Sequence, residues 1–152
     1  MFKQKPFIFS LFVLVFIIAL HLVGSYYSWY WLYPRFDIVV HVFSGLWVGL
    51  IFLWLASVFG QVNSLKEYKA KSFLIAFIPA IIFGVAWELL EVFNQITFTD
   101  AVGYGLDTAG DIFNAGLGGI LAYLYFIKKT KCSDKACDAI HPFYNQTGVI
   151  KN

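Results

Sequence analysis

The chain has 152 residues, of which 60% are hydrophobic and only 13% charged, with a formal net charge of +2. Soluble domains of this size are about half apolar and about a quarter charged, so a water-soluble globular domain is excluded. The small basic excess gives no footing for nucleic acid, because it is spent on loops and not gathered into a patch.

Four apolar stretches of about 20 residues are each long enough to cross a bilayer as a helix. The first runs over about 7–27. It follows the basic start Met1-Phe-Lys-Gln-Lys-Pro6, but it exceeds the usual signal-peptide core of about 7–15 residues and no Ala-x-Ala cleavage site follows. A retained first span is expected. The second covers about 37–59, the third about 72–94 and the fourth about 107–127, leaving short loops and a polar tail over 132–152. The expected fold is all-α, a single four-helix transmembrane bundle.

Basic residues set the orientation. Lys3 and Lys5 precede the first span, Lys66, Lys69 and Lys71 lie between the second and third, and Lys128, Lys129, Lys131 and Lys135 follow the fourth; the other two loops carry only Arg35. The positive-inside rule then places both termini in the cytoplasm of a multi-pass cell-membrane protein. Tyr26, Tyr27, Trp29, Tyr30, Trp31 and Tyr33 form an outer aromatic belt. Cys132 and Cys137 fall in the tail with His141, but C-x4-C with one His is a weak zinc spacing and reads better as ordinary tail residues. The Asn145-Gln-Thr147 sequon lies on the side where glycosylation does not occur.

The acids carry the functional signal. Five of the nine Asp and Glu residues, namely Asp37, Glu88, Glu91, Asp107 and Asp111, sit inside or at the mouths of the apolar stretches. Ionisable groups there are costly and mark a functional site by default. Asp37, His41 and Ser44 share one helix stripe, and Asp107, Asp111 and Asn114 repeat its spacing. On the third span Glu88, Glu91 and Gln95 extend a row of small residues, Ala76, Ala80 and Gly84. Small residues let helices approach closely in lipid, so the acids are expected to face the bundle interior. His21 holds the equivalent depth on the first span. A shift of 70 positions superposes Asp37 on Asp107, His41 on Asp111, Ser44 on Asn114 and Gly49 on Gly119, which suggests two parallel two-helix repeats about an axis along the membrane normal.

Plainer readings compete for several of these residues. Asp37 and Asp107 also suit helix caps. His21 suits an interior histidine, and Ser44 and Asn114 suit hydrogen bonds between helices. Glu88 and Glu91 resist such readings, since two acids at i, i+3 in a membrane helix face two more on the fourth span. Five carboxylates in one pocket require either protonation or a compensating cation. The ligand set His41, Glu88, Glu91 and Asp111 suits a divalent metal ion, with Glu91 or Asp107 as general base and His21, Asp37, Ser44 and Asn114 completing a polar pocket.

The run Phe36-Asp-Ile-Val-Val-His41-x-x-x-Gly45 resembles the opening motif of VanZ-like membrane proteins, and Asp107-x-x-x-Asp111-x-x-Asn114-x-x-x-Gly118 resembles their closing helix. Trp87-Glu-Leu-Leu-Glu91 is closer to the related YjdF-like group, because VanZ-like proteins carry Gln after the first Glu. The resemblance spans about 36–127. It implies a small bacterial envelope protein of a family whose founding member is linked to glycopeptide resistance, with Asp111 as the principal acid; the second Glu departs from the resistance-linked pattern.

Three functions follow as expectations. The first is an enzyme in which a divalent metal polarises an envelope lipid or lipid-linked cell-wall intermediate; the absence of a nucleophile motif or phosphate clamp weighs against it. The second is a non-enzymatic protein that binds a lipid headgroup or amphiphile and modulates resistance. The third is an oligomeric ion or proton pathway, ranked last because the inner halves of the spans lack ionisable residues.

Overall fold

The computed structural model describes residues 4–33, 35–59, 69–94 and 103–140. Lys3, Lys66, Gln95, His141 and the Asn145 sequon lie outside the described residues. The order is α1 (Gln4–Tyr26), α2 (Trp29–Leu32), α3 (Phe36–Val58), α4 (Lys69–Phe93) and α5 (Tyr104–Ile140). Four of these are long and apolar enough to cross a membrane: Phe7–Tyr26, Phe36–Val58, Lys69–Phe93 and Tyr104–Lys129.

Two features differ from the sequence reading. The fourth span does not stop at 127, since α5 continues to Ile140. No Gly or Pro interrupts 128–140, so nothing ends the helix where the apolar stretch does. It projects about 20 Å beyond 127 at 1.5 Å per residue. The aromatic loop also contains a short helix, α2. Ser28 adopts a left-handed conformation (φ 57°) that turns the chain out of α1, and Trp29 and Tyr30 then pack edge-on against Phe36, with ring centroids 5.4 and 5.0 Å apart.

The centre of the bundle is the pair α3 and α5, with α4 against both and α1 on the flank of α3. Glycine brings the central pair together. A Cβ on Gly45 would strike the backbone of Ala115, and one on Gly118 would strike the backbone of Val42 and Leu46. Backbone contact of this kind is the lipid-phase route to tight helix packing, where apolar burial alone gives little drive. His41 meets Asp111, Gly45 meets Ala115 and Gly49 meets Gly119. Each pair is separated by 70 positions, so α3 and α5 run side by side in the same direction and equivalent residues oppose one another.

The buried positions of α4 are Ser72, Ala76, Ala80, Gly84 and Glu88, a run at i, i+4 that ends in an acid. The helix passes through Pro79 without interruption. Away from the acids, Val13, Leu50, Leu53, Ala76, Ala122 and Phe126 form the apolar core. The bundle therefore has an acidic end and a dry end.

Candidate metal centre and vestibule

Three helices deliver polar atoms to one point at the acidic end. α3 begins at Phe36, after an N-cap at Arg35. Asp37 thus lies inside the first turn, where the helix dipole favours a negative charge, and is not the cap itself. His41 follows one turn deeper and is 3% exposed. The row of small residues on α4 carries Glu88 to the same level, 6% exposed. On α5, the Gly103 carbonyl accepts the first helical bonds from Leu106 and Asp107 with Gly103 at φ +97°, a conformation open to glycine. Asp111 then lands opposite His41, 5% exposed.

His41 Nε2 lies 3.6 Å from Asp37 Oδ1, 3.8 Å from Glu88 Oε1 and 4.0 Å from Asp111 Oδ1. Hydrogen bonds of this type fall near 2.7–3.2 Å, so His41 Nε2 faces three carboxylate oxygens without bonding any of them. His41 Nε2 and Glu88 Oε1 are both buried without a hydrogen-bond partner. Buried polar atoms are nearly always paired, and two orphans facing each other are a costly arrangement for a protein alone. Donors spaced this way suit a shared cation. Ligands about 2.1 Å from a tetrahedral ion sit about 3.4 Å apart, and one ligand atom from each of Asp37, His41 and Asp111 lies within 4.8 Å of the other two. Ser44 borders a void of about 10 Å³ beneath His41. Asn114 is half-buried on α5, three residues beyond Asp111.

Above this cluster a cavity of about 650 Å³ opens between α1, α2 and the ends of α3, α4 and α5. Asp37 belongs to both, forming the floor of the cavity and the roof of the cluster. Glu91 and Asp107 line the cavity and stand outside the Asp37, His41 and Asp111 group. Glu91 is half-buried, and its Oε1 accepts a 2.8 Å hydrogen bond from Trp87 Nε1. His21 lies on the exposed wall, with Nδ1 2.9 Å from the Tyr30 hydroxyl and its ring edge-on to Trp87 at 6.2 Å. The structure thus divides the sequence candidates between two levels. His41, Glu88 and Asp111 form the buried cluster, with the partly exposed Asp37 at its edge, whereas Glu91, Asp107 and His21 line the vestibule.

Sequence reasoning missed Tyr30, Trp87 and Thr108. Tyr30 turns inward from the aromatic belt, and burial, then the carboxylates of Asp37 and Glu91, push its phenol up to about 12. Trp87 precedes Glu91 by four residues, a spacing that could have flagged the pair. Thr108 Oγ1 is a third buried atom without a hydrogen-bond partner; its neighbours Asp107 and Asp111 were the signal.

No curated protein and no solved structure matches the chain. Residues 5–131 match the profile of a family described as "Predicted membrane protein (DUF2238)". That match covers all four candidate spans and both levels of the site, and the chain belongs to this family of membrane proteins.

Proposed function

We propose that this protein holds a divalent cation between His41, Glu88, Asp111 and Asp37 and presents it to a lipid headgroup at the outer face of the cell membrane. The observation that carries this reading is the pair of buried, unpartnered atoms His41 Nε2 and Glu88 Oε1, ringed by two further carboxylates. Leaving such groups unpaired in a low-dielectric interior costs several kcal/mol, of order 1–3 for each atom. A bound cation removes that penalty. The lysine distribution puts the acidic end outside and both termini in the cytoplasm, and the VanZ-like spacing of Asp37, His41, Asp107 and Asp111 favours an envelope role.

In the enzymatic form of this reading, a cation held by His41, Glu88, Asp111 and Asp37 would supply Lewis-acid polarisation of a phosphate or ester of an envelope lipid or lipid-linked intermediate. Glu91 or Asp107 would take a proton from the attacking water and return it to the leaving alcohol as the ester bond breaks. The non-enzymatic form, headgroup binding alone, is favoured by one observation: among the described residues, the vestibule wall carries no Lys or Arg to clamp a transferring phosphoryl group. An ion pathway fits least, because the apolar core around Leu50, Leu53 and Ala122 closes the dry end among the described residues.

The test is the metal content of detergent-purified protein by plasma mass spectrometry, beside Glu88→Gln and Asp111→Asn. One divalent ion per chain, lost in both variants while their gel-filtration profiles stay monodisperse, is the expected result. A folded wild-type protein that carries none after incubation with Zn, Mn, Mg and Ca refutes the reading.

A further inference from the structure

The vestibule has a chemistry of its own. Its walls combine three carboxylates, Asp37, Glu91 and Asp107, with the rings of Tyr30, Trp31 and Trp87, and no Lys or Arg lines it among the described residues. Asp37 joins it to the cluster, 3.6 Å from His41 Nε2, where the unpartnered Glu88 Oε1 and His41 Nε2 mark the place that needs a ligand, with Asp111 beside them. One divalent ion balances two negative charges. Five carboxylates lie at or just below the cavity, so with the cation site filled it stays electronegative as long as more than two of them are ionised. A purely anionic headgroup is repelled at its mouth. An ammonium is attracted twice, by the carboxylates and by the faces of Tyr and Trp rings.

The volume is consistent with a headgroup and a stub of its carrier, since small-molecule sites span about 300–1,000 Å³. The Glu91 carboxylate is already oriented by Trp87 Nε1 at 2.8 Å, which leaves its second oxygen free of that bond. Asp107 is exposed on α5 at the same rim.

We infer that the vestibule selects a phosphorylated amine: the ammonium sits against Glu91, Asp107 and the aromatic rings, while the phosphate oxygen points down to the cation held at His41. This inference rests on the cation reading above and adds the headgroup class. Glu91 and Asp107 are then specificity-determining residues for a zwitterion over an anion.

The test uses metal-loaded, full-length protein in detergent, titrated calorimetrically with phosphoethanolamine and with glycerol 1-phosphate, which share the phosphate and differ in the ammonium. Phosphoethanolamine is expected to bind at least tenfold more tightly. Glu91→Gln and Asp107→Asn are expected to shrink that preference several-fold with metal content unchanged, a readout that a general folding defect does not mimic. Nanodiscs separate the two sources of the headgroup. If phosphatidylethanolamine discs suppress binding of soluble phosphoethanolamine and phosphatidylglycerol discs do not, the ligand is a lipid; equal binding in both assigns a soluble phosphorylated amine. Equal affinity for the two phosphates, or a preference untouched by both substitutions, overturns the inference while the metal stays bound. A wild-type protein without metal defeats the cation reading and this inference with it.

Discussion

Replacing Gly45 by Ala tests the packing that builds the site. The added Cβ would meet the carbonyl oxygen, carbonyl carbon and Cα of Ala115, all backbone atoms of α5. No side chain can rotate away, so α3 and α5 must separate. Overpacking of this kind costs about 1–3 kcal/mol, set against a gain of about 0.5–1 kcal/mol for Ala over Gly inside a helix. Gly110 supplies the matched control, because a Cβ there meets nothing within 4 Å. The helix gain is common to both variants and cancels between them. Gly45→Ala should therefore fall below Gly110→Ala by about 1–3 kcal/mol, roughly a 5- to 150-fold difference in the folded-to-unfolded ratio. Reversible unfolding of the detergent-solubilised protein, followed by tryptophan emission, measures it. The same separation should carry His41 away from Asp111, now 4.0 Å from it and one turn from Gly45, and so reduce metal content. Coincident unfolding curves for the two variants would refute the backbone-contact account of α3 and α5.

Three further outcomes are expected. Divalent metal at about 100 times its Kd should stabilise the protein by about 2.7 kcal/mol, an increment that chelation abolishes and Asp111→Asn fails to show; a thermal midpoint indifferent to metal counts against the cation site. Tyr30 has a folded-state pKa raised from 10.0 to about 12, so the folded form holds the phenolic proton more tightly and this contribution to stability is lost as pH rises from about 10 through about 12. Tyr30→Phe should flatten that part of the midpoint-versus-pH curve, and an unchanged slope would mean the phenol titrates freely. Trp87→Phe keeps the ring but removes the 2.8 Å bond to Glu91, which should cost about 1 kcal/mol and weaken vestibule binding without loss of metal; binding equal to wild type would show that Glu91 needs no positioning.

The four spans were legible because bilayer thickness turns apolar length directly into helices. The row Ala76, Ala80, Gly84, Glu88 also told its own story, since the i, i+4 spacing assigns one face to close packing and ends it with an acid. Helix ends were less visible. The charged sequence after Ile127 reads as tail by polarity, yet it contains nothing that breaks a helix, and α5 runs on to Ile140. Inside the aromatic loop, α2 depends on the left-handed turn at Ser28, a residue type that gives little warning of it.

What the sequence determined alone is which residues share a depth and a helix face, because both follow from helical periodicity and the membrane span. It thereby set His41, Glu88 and Asp111 at one level of one bundle. Only the tertiary structure decided which acids share an atom-scale site. Asp37 reaches His41 within α3 itself, one turn away, whereas the backbone contacts at Gly45 and Gly118 bring Asp111, and the packing of α4 brings Glu88, to within 4.0 Å of His41; Glu91 and Asp107 are left on the wall above. Three residues along α4 leave Glu91 about 60° round from Glu88 and about 4.5 Å further along the helix, so the two acids share a face but meet different neighbours, fixed by the helices packed around them.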